Sequence, residues 1–202
     1  MTRTVATLPL RGGHPVLDLA NTVAARRGGE EEDVLRTPAE LLAWAERAGA
    51  GEGPALAALR RGFAGQPRAA AAALRAVRAL REAVFRIFAA LGQGAEPAAA
   101  DLALVETLAA RARRRLRRVE AGYYAWDWPA DPRPMALVHR LAHQAAELLV
   151  DPRLARVREC PGHHCGWLFL DTSRGGQRRW CAEADCGVLD RVRRLRARRS
   201  SG

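Results

Sequence analysis

The clearest periodicity in the chain lies between residues 68 and 91. There Leu74, Val77, Leu80, Val84, Ile87, Phe88 and Leu91 recur at intervals of three and four. That spacing puts them on one stripe of a helix, which Gly92 and Gly94 end. Residues 15–23 place Val16, Leu19, Ala20 and Val23 at helical intervals, although so short a run also fits a strand. Arg26 to Asp33 reads as a polar loop. Thr37-Pro38-Ala39-Glu40 combines an N-cap, a proline at the first helical position and a glutamate three after the cap. It predicts a helix to Ala48, stopped at Gly49, and a short helix follows over 55–62. Leu102, Val105 and Leu108 mark a helix over 97–114. Tyr123, Tyr124, Trp126 and Trp128 around Gly122 read as a hairpin, the only clear strand signal in the first 150 residues. Pro132 or Pro134 then opens a helix to about Val150, and no repeat of solenoid length is present.

These elements predict a mainly α chain with a small β element, an α+β protein in two parts. A helical domain covers residues 1–150, and a smaller module covers 151–202, with Asp151-Pro152 as the boundary. No apolar run approaches the roughly 18 residues of a transmembrane helix. The first residues carry no apolar run of secretory-signal length. A cytoplasmic protein without membrane attachment is the expectation.

Charge sharpens the division. The 202 residues carry 33 basic side chains, all arginine, against 22 acidic ones, for a net charge of +11. Residues 151–202 hold +6 of that excess in a quarter of the length. So basic a chain favours acidic partners, nucleic acid first and anionic surfaces second.

All four cysteines lie in that module. Cys160 and Cys165 are separated by four residues, as are Cys181 and Cys186, with fifteen residues between the pairs. Two cysteine pairs with a mid-length insert read as a tetrahedral zinc site. Trp167 to Leu170 reads as a strand, Asp171 to Gly176 as a turn, and Gln177 to Trp180 as a returning strand. Cys181 and Cys186 then sit at a helix start, where the dipole and free N–H groups favour thiolates. His163 and His164 lie between two cysteines already placed to bind, so neither is expected as a ligand. Four thiolates leave no open position, so the zinc is expected to be structural, supplying about 10–16 kcal/mol to a module with little core.

After Cys186, Val188, Val192 and Leu195 repeat at helical spacing and are expected to pack near Trp167, Phe169 and Trp180. Arg191, Arg194 and Arg198 form one outward row, and Arg193 and Arg196 another. With Arg174, Arg178 and Arg179 of the preceding loop, they are the candidate nucleic-acid contacts, suited to phosphates and a major groove. A solvated basic tail is the plainer alternative.

In the helical domain, Asp18 and Asn21 lie three apart and share a helical face. They either line a ligand pocket or satisfy local backbone. His139, His143 and Glu147 follow one another at four-residue intervals, a spacing open to a second metal site or to a polar pocket wall. Trp126 and Trp128 alternate on the predicted strand, as core packing or as an aromatic ligand wall. Six arginines between Arg111 and Arg118 either extend a nucleic-acid footprint or pair with the acids at 30–33.

The run from Cys165-Gly-Trp-Leu-Phe-Leu-Asp-Thr-Ser-Arg174 through Arg178-Arg-Trp-Cys181 to Cys186-Gly187 resembles the CGNR zinc finger. Leu17 to Val23 is similar to the opening motif of the ABATE domain that accompanies this finger, and Ala142 to Leu149 fits the run-up to it. The resemblance implies a treble-clef-like finger in a bacterial transcriptional regulator. One structural zinc would sit on Cys160, Cys165, Cys181 and Cys186, and the finger would bind DNA. The naming motif departs here, because Val188-Leu189 stand where Asn-Arg is expected. Neither position is a zinc ligand, so metal binding is expected to survive; the change bears on the helix start or on contact with nucleic acid.

The expected function is therefore a zinc-binding, DNA-binding regulator whose helical domain senses a small-molecule effector or a stress signal. Palindromic sites would suit a homodimer. The competing readings are a zinc-stabilised protein-interaction module, which the apolar Val188-Leu189 pair favours, and an RNA-binding module. No nucleophile–base pair or phosphate-binding glycine loop is present, so an enzyme is not expected.

Overall fold

A computed structural model of the chain describes residues 3–29, 32–120 and 122–200. Pro15 starts α1 (Pro15–Ala20), whose N-cap His14 accepts a hydrogen bond from the Val16 amide. Helix α2 (Pro38–Arg47) begins with the predicted reciprocal cap. The Thr37 hydroxyl accepts from the Glu40 amide at 3.2 Å, and the Glu40 carboxylate accepts from the Thr37 amide at 2.8 Å. There follow α3 (Gly53–Gly65), the long α4 (Pro67–Gly92) and α5 (Ala99–Ala109). Strands β1 (Arg115–Glu120) and β2 (Tyr123–Asp127) form the antiparallel hairpin, with Leu116 opposite Trp126. Helix α6 (Met135–Val150) closes the helical part.

A 3-10 turn (Pro152–Arg156) leads into β3 (Val157–Glu159), which pairs antiparallel with β4 (Leu168–Leu170). A π turn (Glu183–Gly187) then enters α7 (Val188–Ser200).

Helices α5 and α6 pack on α4 and on each other, and α1 lies against α4, α6 and β4. The apolar stripe of α4 is buried from Leu74 to Phe88. The core continues without a break from Trp44 and Phe88 to Phe169, Trp180 and Cys181. The module around the cysteines thus shares its apolar interior with the helices, which is how a segment with so few large side chains of its own acquires a core.

Charged side chains brace this arrangement. Arg81, 5% exposed, donates to both Asp33 oxygens at 2.8 and 3.0 Å and to the Thr22 hydroxyl at 3.2 Å. It ties the loop before α2 to α4.

Several expectations need correction. Residues 177–180 form no strand, because both edges of β4 are already taken. Facing β3, the Cys160 amide donates to the Trp167 carbonyl and the Asp171 amide to the Arg156 carbonyl, at 2.8 and 2.9 Å. On the other edge Leu168 bonds to Asn21, and the Leu170 amide donates to the Gly12 carbonyl. The helix expected over 97–114 ends at Ala109, where the chain turns into β1. Trp126 is not core: it is 60% exposed, on a hairpin that leaves Leu116, Tyr123 and Tyr124 exposed too. Nor does the apolar row of α7 pack near Trp167, Phe169 and Trp180. Val192 is 38% exposed and Leu195 57%, because the helix projects from the π turn away from the body.

Candidate metal centre and basic surface

The metal centre begins with two turns. In the first, the Cys165 amide donates to the Gly162 carbonyl at 2.9 Å, which brings Cys160 and Cys165 to one side. Gly162 fits closely there: a Cβ on it would lie 3.0 Å from Cys186 Sγ and 3.1 Å from Cys165 Cβ, so the cysteines would have to shift. The second turn is the segment from Cys181 into the π turn, which presents Cys181 and Cys186.

All four Sγ atoms lie within 4.8 Å of one another. Cys165 and Cys186 each stand 3.6 Å from Cys181. Four Zn–S bonds of about 2.3 Å in a tetrahedron give sulfur–sulfur edges of roughly 3.8 Å. A disulfide would need about 2.05 Å. The spacing therefore fits one tetrahedral ion and excludes cross-linking.

Cys160 accepts from Cys165 and Cys181 and is pulled toward the thiolate. Hydrogen bonding to Cys160 and then to Cys181, followed by burial, pushes Cys165 up. Burial and the nearby thiolate raise Cys186. Four thiolates at this distance require a divalent cation in place of the shared protons. Among the described residues no other group of three or more His, Cys, Asp or Glu side chains could hold an ion. His163 and His164 are not part of the four-cysteine group.

The loop between the cysteine pairs is organised by Asp171, which is buried. It accepts from the Ser173 hydroxyl at 2.6 Å and amide at 2.9 Å, and from the Arg178 amide at 2.9 Å. These bonds, the hydroxyl first, hold its carboxyl below the usual range.

The candidate arginines divide into two groups. Arg178 serves the loop itself: its guanidinium donates to the carbonyls of Trp180, Leu170, Arg11 and Cys181 and lies 4.4 Å above the Phe169 ring. Arg174 and Arg179 are exposed, as are Arg191, Arg193, Arg194 and Arg198 on α7. Arg191 pairs with Glu183, and Arg194 with Asp190. Arg179, Arg191 and Arg194 border one shallow cleft between the loop and α7. The structure thus brings Arg179 of the loop beside Arg191 and Arg194 of the helix.

Asp18 and Asn21 are both buried and bonded to backbone atoms. Asp18 is buried and accepts from the Gly12 amide at 2.7 Å, and burial pushes its carboxyl up to about 6. Asn21 reaches Leu168, as described above, so its partner is distant and not local. Sequence reasoning missed this role because nothing in the spacing identifies a partner so far along the chain.

His139, His143 and Glu147 do not gather around an ion. Glu147 accepts from Arg114 at 3.0 Å and stands 3.1 Å from His143, whose ring meets Trp128 edge-on at 5.7 Å. Trp126 instead lies under the Arg114 guanidinium, 4.8 Å away. The cluster between Arg111 and Arg118 finds its acids at Asp127 and Glu147. Asp33 is committed to Arg81 and Arg78, Glu32 accepts from the Arg3 amide, and Glu30 and Glu31 lie outside the described residues.

Two family models match the chain. One, described as "putative stress-induced transcription regulator" and named ABATE, spans residues 13–152. The other, the CGNR zinc finger, spans residues 156–199 and takes in all four clustered cysteines. No curated protein matches. The N-terminal match covers well over half of the residues, and the second places one structural zinc on the tetrad: the chain belongs to the ABATE family and ends in a CGNR zinc finger.

Proposed function

We propose that this protein is a cytoplasmic DNA-binding transcriptional regulator, not an enzyme, whose helical domain senses a small effector and whose zinc finger presents α7 to DNA. The observation that carries the reading is the exposure of α7. It leaves the zinc-clamped turn with Arg191, Arg193, Arg194 and Arg198 all accessible, and Arg179 lies beside it. A rod of this kind has the diameter and charge for a major groove.

The test is duplex-DNA binding by the zinc-loaded full chain. Affinity should fall with salt at a log–log slope of about −4 to −5 if some five phosphates are neutralised. The double variant Arg194→Glu, Arg198→Glu should lose binding while keeping its zinc. Unchanged duplex binding by that variant overturns the reading.

A second reading rests on a different observation. Val188, Leu189, Val192 and Leu195 form an exposed apolar row on α7. It suits a protein partner, including a second copy of this chain as in a homodimer. Association that survives high salt, with no duplex or RNA binding, would favour it.

A further inference from the structure

One cleft of the helical domain has an unusual lining. Arg111, Arg113, Arg133, His139 and Arg140 surround it, with Trp128 as an apolar wall. One carboxylate also lines the cleft: Asp131, which pairs with Arg133 at 2.9 and 3.1 Å. The guanidinium groups of Arg111, Arg113 and Arg140 make no hydrogen bond or ion pair among the described residues, although Asp131 acts on Arg113, and Glu52 and Asp127 on Arg140, at longer range. Two of the atoms involved are buried without a partner, Arg140 Nε and His139 Nε2.

Buried polar atoms are nearly always paired, so two such orphans on one helical turn require an explanation. Core packing does not give one. The Arg140 guanidinium sits 4.9 Å over the Trp128 ring, a stacking that orients it and leaves its N–H fork unused. Burial lowers the pKa of His139, helped by Arg111 and Arg133, so the imidazole is neutral and can donate through one nitrogen.

We propose that this cleft binds a small oxyanion, the carboxylate or phosphate head of a metabolite, gripped by Arg140 and His139 within and by Arg111 and Arg113 at the rim. The inference narrows the sensing half of the function proposed above and rests on it. Size selects the head group. The cleft encloses about 30 Å³. That is room for one or two waters, hence for the oxygens of one anionic group and not for a ring or a peptide. Arginine forks match the planar or tetrahedral spread of such oxygens. Ala55, Trp128 and Arg140 also border a neighbouring space of about 210 Å³, where the remainder of a ligand could lie.

The test is calorimetric titration of the zinc-loaded full chain with sodium phosphate and with sodium acetate, against sodium chloride at matched ionic strength. One of the two anions should saturate at one per chain, and which one does so identifies the head group. Arg140→Gln should weaken it at least tenfold, and so should Arg113→Gln, an exposed rim position where folding is not at stake. Arg118→Gln, on the hairpin outside the cleft, should bind as the parent does. Heats that rise linearly and equal those of chloride would overturn the proposal, as would equal affinity in the Arg113→Gln protein. Duplex binding is measured separately on the same samples. Absence of anion binding therefore counts against the cleft, and absence of duplex binding against the regulator.

Discussion

Asn21 and Leu168, 147 residues apart, exchange two hydrogen bonds. The side-chain amide of Asn21 donates to the Leu168 carbonyl, and its oxygen accepts from the Leu168 amide, each at 2.8 Å. The side chain acts as a one-residue strand along the edge of β4 that faces away from β3. It sits at the C-terminal end of α1 and so fastens the finger to the helices. Asn21→Ala would leave a buried N–H and a buried C=O unpaired, at a cost of about 2–4 kcal/mol. Denaturant unfolding should show that loss, and amide exchange at Leu168 should quicken. A change below about 0.5 kcal/mol, the level of ordinary surface substitutions, would show that the pairing matters little.

Asp18 gives a pH dependence with a definite sign. Its folded pKa, about 6, lies above the ordinary carboxylate value near 3.9, and burial is the leading cause. The folded protein therefore holds a proton that the unfolded chain releases, and stability falls as pH rises from about 4 to 6. Asp18→Asn keeps an acceptor for Gly12 and removes the buried charge. It should be more stable than the parent by about 1–3 kcal/mol at pH 8, with the gap shrinking toward pH 5. Paired melting curves at the two pH values decide this, and a gap that does not narrow at the lower pH would refute it.

Zinc removal should affect the chain unevenly. Elemental analysis should find one zinc per chain. A strong chelator should then change the emission of Trp167 and Trp180, which are buried beside the tetrad, while most far-UV helical signal persists. Packing among α4, α5 and α6 involves no cysteine. Complete loss of helicity on chelation would show that the helices depend on the metal far more than their packing implies.

Gly162 provides a steric test of the tetrad. In Gly162→Ala the new methyl would press on Cys186 Sγ and Cys165 Cβ. Zinc affinity should fall by about 1–3 kcal/mol, read by competition with a chromogenic chelator. Gly175→Ala, where the nearest atoms lie 3.6 Å away on a flexible glutamine, should leave affinity unchanged.

Local signals in the sequence were enough for the helices. The cap at Thr37 and the stripe from Leu74 to Phe88 are properties of neighbouring residues, and the cysteine spacing likewise identified the metal site. What stayed hidden depended on distant partners. β3 is three residues long, with one apolar side chain, too little for periodicity to register. The row Val188, Val192, Leu195 marked a helix face correctly, yet spacing cannot say whether anything covers that face. Arg178 appeared among the phosphate contacts because a sequence shows charge and not the four carbonyls that surround it.

The filled edges of β4 bear on how such chains diverge. The asparagine grips only main-chain atoms, so it constrains the path of the finger's strand and not the side chains that the strand carries: sequence there is free to drift while the edge stays sealed.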